Sequence, residues 1–251
     1  ENEKKHDEMR AKYGPVKRNK KIISLEKARQ NSFVSDWERI EIAEPSGRMR
    51  EEKFPLIEEI VPFIDWSPFF RSWDLHGHYP AILNDPIVGE QAVDLFADAQ
   101  VILSEILEKK LLKAKAVFGL FPANSIADDD IEVYVDENRN EVAATFLTLR
   151  QQIKKREGKT NVALADYIAP KDSGQKDYIG SFCVSTGFGT AELAKQYEDA
   201  NDDYNAIMVK ALADRFAEAF AEYLHKEVRI KHWGYAANEN LDNDALIKES
   251  Y

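Results

Sequence analysis

"IEVYVDENRNEVAATFLTLR" (131–150) reads as two strands and the turn between them. Alternating, β-branched runs flank the turn-rich "DENRN" (136–140), which is the pattern of a β-hairpin. Upstream, "KAVFGLFPA" (115–123) reads as a short buried strand punctuated by Gly and Pro. Downstream, "DYIGSFCVSTG" (177–187) supplies another. Amphipathic helices bracket these strands. From Gly89 to Leu112 the apolar residues Val93, Phe96, Leu103, Ile106 and Leu107 recur at helical spacing, and a longer helix runs from about Asp203 to Val228. The order helix, strand, hairpin, strand, helix lacks regular βαβ alternation, so the expected class is α+β with an antiparallel sheet.

The long helix is unusual in one respect. Its apolar set (Tyr204, Ile207, Met208, Ala211, Leu212, Phe216, Phe220, Tyr223, Leu224) drifts, the late half lying roughly a third of a turn from the early half at 100° per residue. Arg215, Glu218 and Glu222 therefore continue the line of the early apolar residues. They face either a polar cleft or solvent. Nearer the start, "FPLIEEIVPFIDWSPFFRSWDLHGHYP" (54–80) is dense in aromatics, and Ser67 followed by Pro68 signals a helix start with serine as the cap. Asp65 stands just before that helix, where the dipole favours a carboxylate by a few tenths to about 1 kcal/mol.

The 251 residues suffice for one large domain or two small ones, and 44% hydrophobic content suits a globular protein. No apolar run reaches the roughly 18 residues of a membrane span, and no secretory leader opens the chain, so a cytoplasmic protein is expected. A formal charge of −11 argues against a nucleic-acid partner. The basic runs "KRNKK" (17–21) and "KKREGK" (154–159) read as solvated surface. The single cysteine, Cys183, excludes an internal disulfide and any multi-cysteine metal site, and it reads as a small buried residue in a strand. Residues 1–50 are charged and weakly patterned, the mark of a helical extension leading in from something upstream; opening without Met, the chain reads as part of a longer polypeptide.

Candidate chemistry is sparse. "DLHGHYP" (74–80) offers His76 and His78 beside Asp74, without further metal ligands. The cobalamin-ligating pattern Asp-x-His-x-x-Gly fails there, because Tyr79 stands where glycine is required. "STGFGTAEL" (185–193) has Gly187 and Gly189, but Glu192 occupies the third position of a dinucleotide loop, so it reads as a turn. No metal site and no catalytic nucleophile is expected.

Five stretches nevertheless resemble, in order, the C-terminal activation domain of cobalamin-dependent methionine synthase: "FIDWSPFF" (63–70), "GLFPANSIADDDIEVY" (119–134), "LADYIAPKDSGQKDYIGSF" (164–182), "DDYNAIMVKALADRFAEAFAEYLHKEVR" (202–229) and "WGYAANENLDNDALIKESY" (233–251). The resemblance implies a C-shaped α+β domain, with a long bent antiparallel sheet and flanking helices, over 51–251. Residues 1–50 would link it to an upstream cobalamin domain. It also implies a reaction. The domain binds S-adenosylmethionine and presents its methyl group to a cobalamin held elsewhere in the polypeptide, while flavodoxin or a flavoprotein reductase supplies one electron. Methylcobalamin is restored from inactive cob(II)alamin.

Residue by residue, Asp65 of "IDW" matches the family's ligand-binding aspartate; otherwise it is a helix-cap carboxylate. Glu218 and Glu249 fall in family motifs and line the same cleft if they are not surface positions. The family continues into an Arg-x-x-Pro-Gly-Tyr-Pro segment and a Tyr-Phe pair that hold the cofactor. Neither follows here, so a C-terminally truncated, monomeric activation domain with weakened S-adenosylmethionine binding is expected. Such a chain is part of a 5-methyltetrahydrofolate–homocysteine methyltransferase and makes no methionine alone. The rival readings are a non-catalytic docking module for the cobalamin domain and flavodoxin, and a stand-alone adenosine-ligand sensor.

Overall fold

The structure, a computed structural model, describes residues 22–40, 42–45, 49–50, 55–248 and 250. Its helices are α1 (Leu25–Gln30), α2 (Ile57–Ile60), α3 (Ser67–Ser72), α4 (Gly89–Lys109), α5 (Thr190–Asp199), α6 (Asp203–Glu227) and α7 (Asn243–Ile247). Its strands are β1 (Met49–Arg50), β2 (Lys113–Ile126), β3 (Asp130–Tyr134), β4 (Val142–Leu147) and β5 (Asp177–Phe188). The strand order is β1-β2-β3-β4, with β5 also paired to β2. The pairs β1–β2, β2–β3 and β3–β4 are antiparallel. The expected mixed α+β class with flanking helices is observed, and the hairpin at 131–150 is β3–β4, Ile131 facing Phe146 and Val133 facing Ala144.

The chain divides into two compact units. One comprises 1–42 with 121–179, and the other 43–120 with 180–251.

The first unit has a small apolar centre, in which Ala123, Ile131, Val133 and Ala165 are buried against Phe121, Ile168 and Ile179. A buried polar network supplements it. Arg150, 3% exposed, reaches the carboxylates of Asp129 at 2.5 Å and Asp166 at 2.6 Å, and it donates to the Asn161 carbonyl at 2.6 Å. Asn161 in turn donates to the carbonyls of Gln151 and Ile153 and accepts from the Asn31 side chain at 2.7 Å. An interior this polar persists only when its groups are paired. Residues 22–40 join it through Asn31, through Arg29 (3.0 Å from Asp129) and through an antiparallel bridge between Ile22 and Ile153. Arg139 closes the turn end. It donates to the carbonyls of Ala123 and Asp177 and to the Asn124 side chain, and lies over the rings of Tyr134 and Tyr178.

The second unit carries the larger core, α2, α3 and α4 packing with α6. Phe69, Phe70, Phe216 and Phe220 are at most 1% exposed, each contributing up to about 3 kcal/mol by burial. The buried face of α4 is offset from the sequence expectation. Ala92, Leu95, Ala99, Ile102, Leu103 and Ile106 are buried, whereas Val93 is 47% exposed. Close helix contact selects the small alanines, a choice that hydropathy does not encode. In α6, Tyr204 and Ile207 likewise lie outward, and Ala206, Val209, Ala213 and Ala219 complete the buried stripe. At its end α6 loosens into a π-helical turn, Val228–His232, where Arg229 pairs with Glu239 through two bonds of 2.7 and 2.8 Å.

Two local expectations are corrected. Ser67 is the first helical residue of α3 rather than its cap; its hydroxyl accepts from the Tyr79 amide, and Asp65 takes the capping role described below. Cys183 is exposed, because it lies on the outward stretch of β5. The last helix is capped by Asp242, whose Oδ1 accepts from the Ala245 amide at 2.9 Å.

Candidate functional site

Asp65 lies between two anchors. Ile64 and Trp66 are buried, and Trp66 packs edge-on against Phe96 at 4.9 Å and Phe69 at 5.4 Å. With both neighbours fixed inward, the residue between them is held half-buried at the edge of the core. Its Oδ1 accepts from the Ser67 amide at 2.9 Å, satisfying one free N–H at the start of α3. The other oxygen has no partner among the described residues.

Asp65 opens onto a cleft of about 250 Å³, which it lines with Phe63, Glu218, Glu222 and Ile247; Ala219 and Ala221 leave room on the α6 wall. Glu218 and Glu222 are one helical turn apart, so both face the cleft. The polar line on the long helix thus borders this cleft through Glu218 and Glu222, with Glu218 still 65% exposed to solvent. Arg215 holds both oxygens of Glu218, at 2.7 and 3.0 Å. Oε2 of Glu222 is shielded from solvent and has no hydrogen-bond donor among the described residues. Phe63 forms the apolar wall, edge-on to Tyr223 at 5.5 Å and beneath the Lys226 ammonium at 5.6 Å. Ile247 is placed by α7, whose Leu246 is buried and whose Asn243 side chain donates to the Ile64 carbonyl at 3.4 Å. A helix this short is unstable alone and depends on such contacts.

Of the residues expected from sequence, Asp65 and Glu218 meet at this cleft, and Glu249 lies outside the described residues. Glu222 belonged to the expected polar line but not to the expected site; its signal was its position four residues after Glu218. Phe63, Asn243 and Ile247 lie in the resembling stretches but were not singled out as site residues. His76 and His78 are exposed, and among the described residues no group of three or more His, Cys, Asp or Glu is placed to hold a metal ion. Nor is any helix among them long and apolar enough to cross a membrane. A second cavity, of about 180 Å³ at the π-helical turn, is walled by Phe118, Phe182, Leu224 and Trp233 and lined by no carboxylate.

Chemically, the cleft presents three carboxylates, one of them neutralised by Arg215, beside an aromatic wall. That arrangement favours a ligand with a cationic end and an apolar or aromatic body, and opposes an anionic one.

A family model described as the activation domain of vitamin B12-dependent methionine synthase matches residues 56–251. The chain belongs to that family. In addition, a crystal structure of the MetH reactivation domain bound to AdoHcy is similar to it at 49% identity and a TM-score of 0.82, covering 92% of this chain and 70% of that one. Three of the five resembling stretches meet at the cleft. "FIDWSPFF" forms the Asp65 wall and α3, "DDYNAIMVKALADRFAEAFAEYLHKEVR" forms α6 with Glu218 and Glu222, and the segment after Trp233 returns as α7.

Proposed function

We propose that the chain binds S-adenosylmethionine in the cleft of Asp65 and Glu218 and serves the reductive reactivation of cobalamin in methionine synthase. The carrying observation is that carboxylates from two separate motifs, Asp65 and Glu218, line one cleft with Phe63. S-adenosylmethionine carries an α-ammonium and a sulfonium, and a charge-assisted hydrogen bond to the ammonium contributes about 1.5–3 kcal/mol. The adenine offers a ring for an aromatic wall. This chain's residues bind and orient the ligand and shield it from water; no protein nucleophile or base is required. The cobalamin supplies the attacking metal and belongs to a separate domain of the same polypeptide, to which residues 1–50 are the link. Flavodoxin or a flavoprotein reductase provides the electron. The domain of 51–251 works as a monomer in the cytoplasm, as part of a 5-methyltetrahydrofolate–homocysteine methyltransferase, and makes no methionine by itself. By the family resemblance, Glu249 is proposed as a further acidic ligand contact.

Isothermal titration of S-adenosylmethionine into this chain, and into the chain extended by the family's Arg-x-x-Pro-Gly-Tyr-Pro segment, tests the proposal. Binding is expected, and Asp65→Asn should abolish it. Failure of the extended chain to bind would favour a docking module instead. Equal, tight binding in both would show that the segment is dispensable.

A further inference from the structure

Among the described residues, the carboxylate of Glu222 has no hydrogen-bond partner. It lines the cleft from α6, one turn beyond Glu218, and its Oε2 is shielded from solvent without a donor. A shielded carboxylate oxygen is costly to leave without a hydrogen bond, and one found so in a folded protein calls for an explanation. The two nearby cations are engaged elsewhere, Arg215 with both oxygens of Glu218 and Lys226 over the ring of Phe63. None of the other residues lining the cleft is basic.

We infer that Glu222 is a specificity-determining residue that accepts a hydrogen bond from the α-ammonium of the ligand's amino-acid arm; the inference rests on the binding role proposed above. Hydrogen-bond chemistry selects that group. The missing partner must be a donor, and a sulfonium has no N–H or O–H to give, whereas the α-ammonium has three. The terminal torsion of a glutamate is soft, so the carboxylate can turn either oxygen towards an incoming ammonium. Because S-adenosylmethionine and S-adenosylhomocysteine share this arm, Glu222 holds both. It selects for the amino-acid arm and not for the methyl group.

The test is Glu222→Gln, which keeps the side-chain shape and removes the charge, in the two chains used above. S-adenosylmethionine, S-adenosylhomocysteine and 5′-methylthioadenosine, which lacks the amino-acid arm, are each titrated, and the ligand-free melting temperature is recorded. Affinity for the first two should fall at least about tenfold. Methylthioadenosine should be bound equally by both proteins, and the ligand-free melting temperature should not fall. An unchanged affinity for S-adenosylhomocysteine, an equal loss for all three ligands, or a lower ligand-free melting temperature would each overturn the assignment. Should neither unsubstituted chain bind any of the three, the proposed function itself fails and the assignment goes with it.

Discussion

Arg215 stands one turn before Glu218 on α6 and grips both of its carboxylate oxygens, at 2.7 and 3.0 Å. The pair is lopsided: the Arg215 side chain is 13% exposed and that of Glu218 65%. Solvent screens such a pair, so its contribution to folding is small, about 0–1 kcal/mol. Glu218→Gln should therefore shift the urea unfolding midpoint very little. Its effect should appear in titration instead, as weaker S-adenosylmethionine binding. A large loss of stability with unchanged binding would place Glu218 among the structural residues.

Asp65 combines a local and a proposed role, and two substitutions separate them. Asparagine still offers an oxygen to the Ser67 amide, 2.9 Å away, whereas alanine does not. Asp65→Ala should cost about 0.5–2 kcal/mol of stability and Asp65→Asn much less, measured by denaturant unfolding. Ligand binding should fail in both. Retained binding in Asp65→Asn would confine the aspartate to helix capping.

Arg150 links Asp129 and Asp166 inside the first unit, with side-chain exposures of 3%, 10% and 8%. Removing its charge leaves Asp166 without a cation and Asp129 with Arg29 alone, so Arg150→Met should destabilise by about 3–5 kcal/mol. A pH dependence follows. Burial pushes the Asp129 carboxyl up, but hydrogen bonds and charge from Arg150 and Arg29 outweigh it and hold the group below its usual 3.8. A lowered folded value stabilises above the unfolded value, and that stabilisation is lost as pH falls through the folded value. Urea midpoints of the unsubstituted chain should thus decline below about pH 4, and Arg150→Met should flatten this limb.

Gly189 precedes α5 with φ +100°, and a β-carbon built there would lie 2.3 Å from the Leu111 carbonyl oxygen. Both the backbone angle and the contact exclude a side chain. Gly189→Ala should cost at least about 2 kcal/mol by thermal or urea unfolding. Gly187→Ala, whose β-carbon would meet nothing closer than the Ser185 hydroxyl at 3.8 Å, is the control, with a much smaller effect expected.

The sequence by itself determined what depends on local pattern. Alternation around "DENRN" specified the β3–β4 hairpin, and 3.6-residue periodicity specified α4 and α6. The missing third glycine argued against a dinucleotide loop; Gly189 makes the turn into α5, whereas Gly187 still belongs to β5. Motif resemblance specified the family and pointed to Asp65 and Glu218. Tertiary structure decided the rest, because it depends on which surfaces meet. Hydropathy favoured Val93 for the core, but helix packing took the smaller alanines. Ser67 suited a cap by residue type, yet Asp65 caps the helix, since the anchoring of Ile64 and Trp66 brings its carboxylate to the free amide. Cys183 is buried by habit and exposed here. Above all, Glu222 became a candidate ligand contact only when folding brought α6 against the Asp65 segment. A helical wheel can place a carboxylate on a polar line, but only packing decides that its oxygen loses water without gaining a donor.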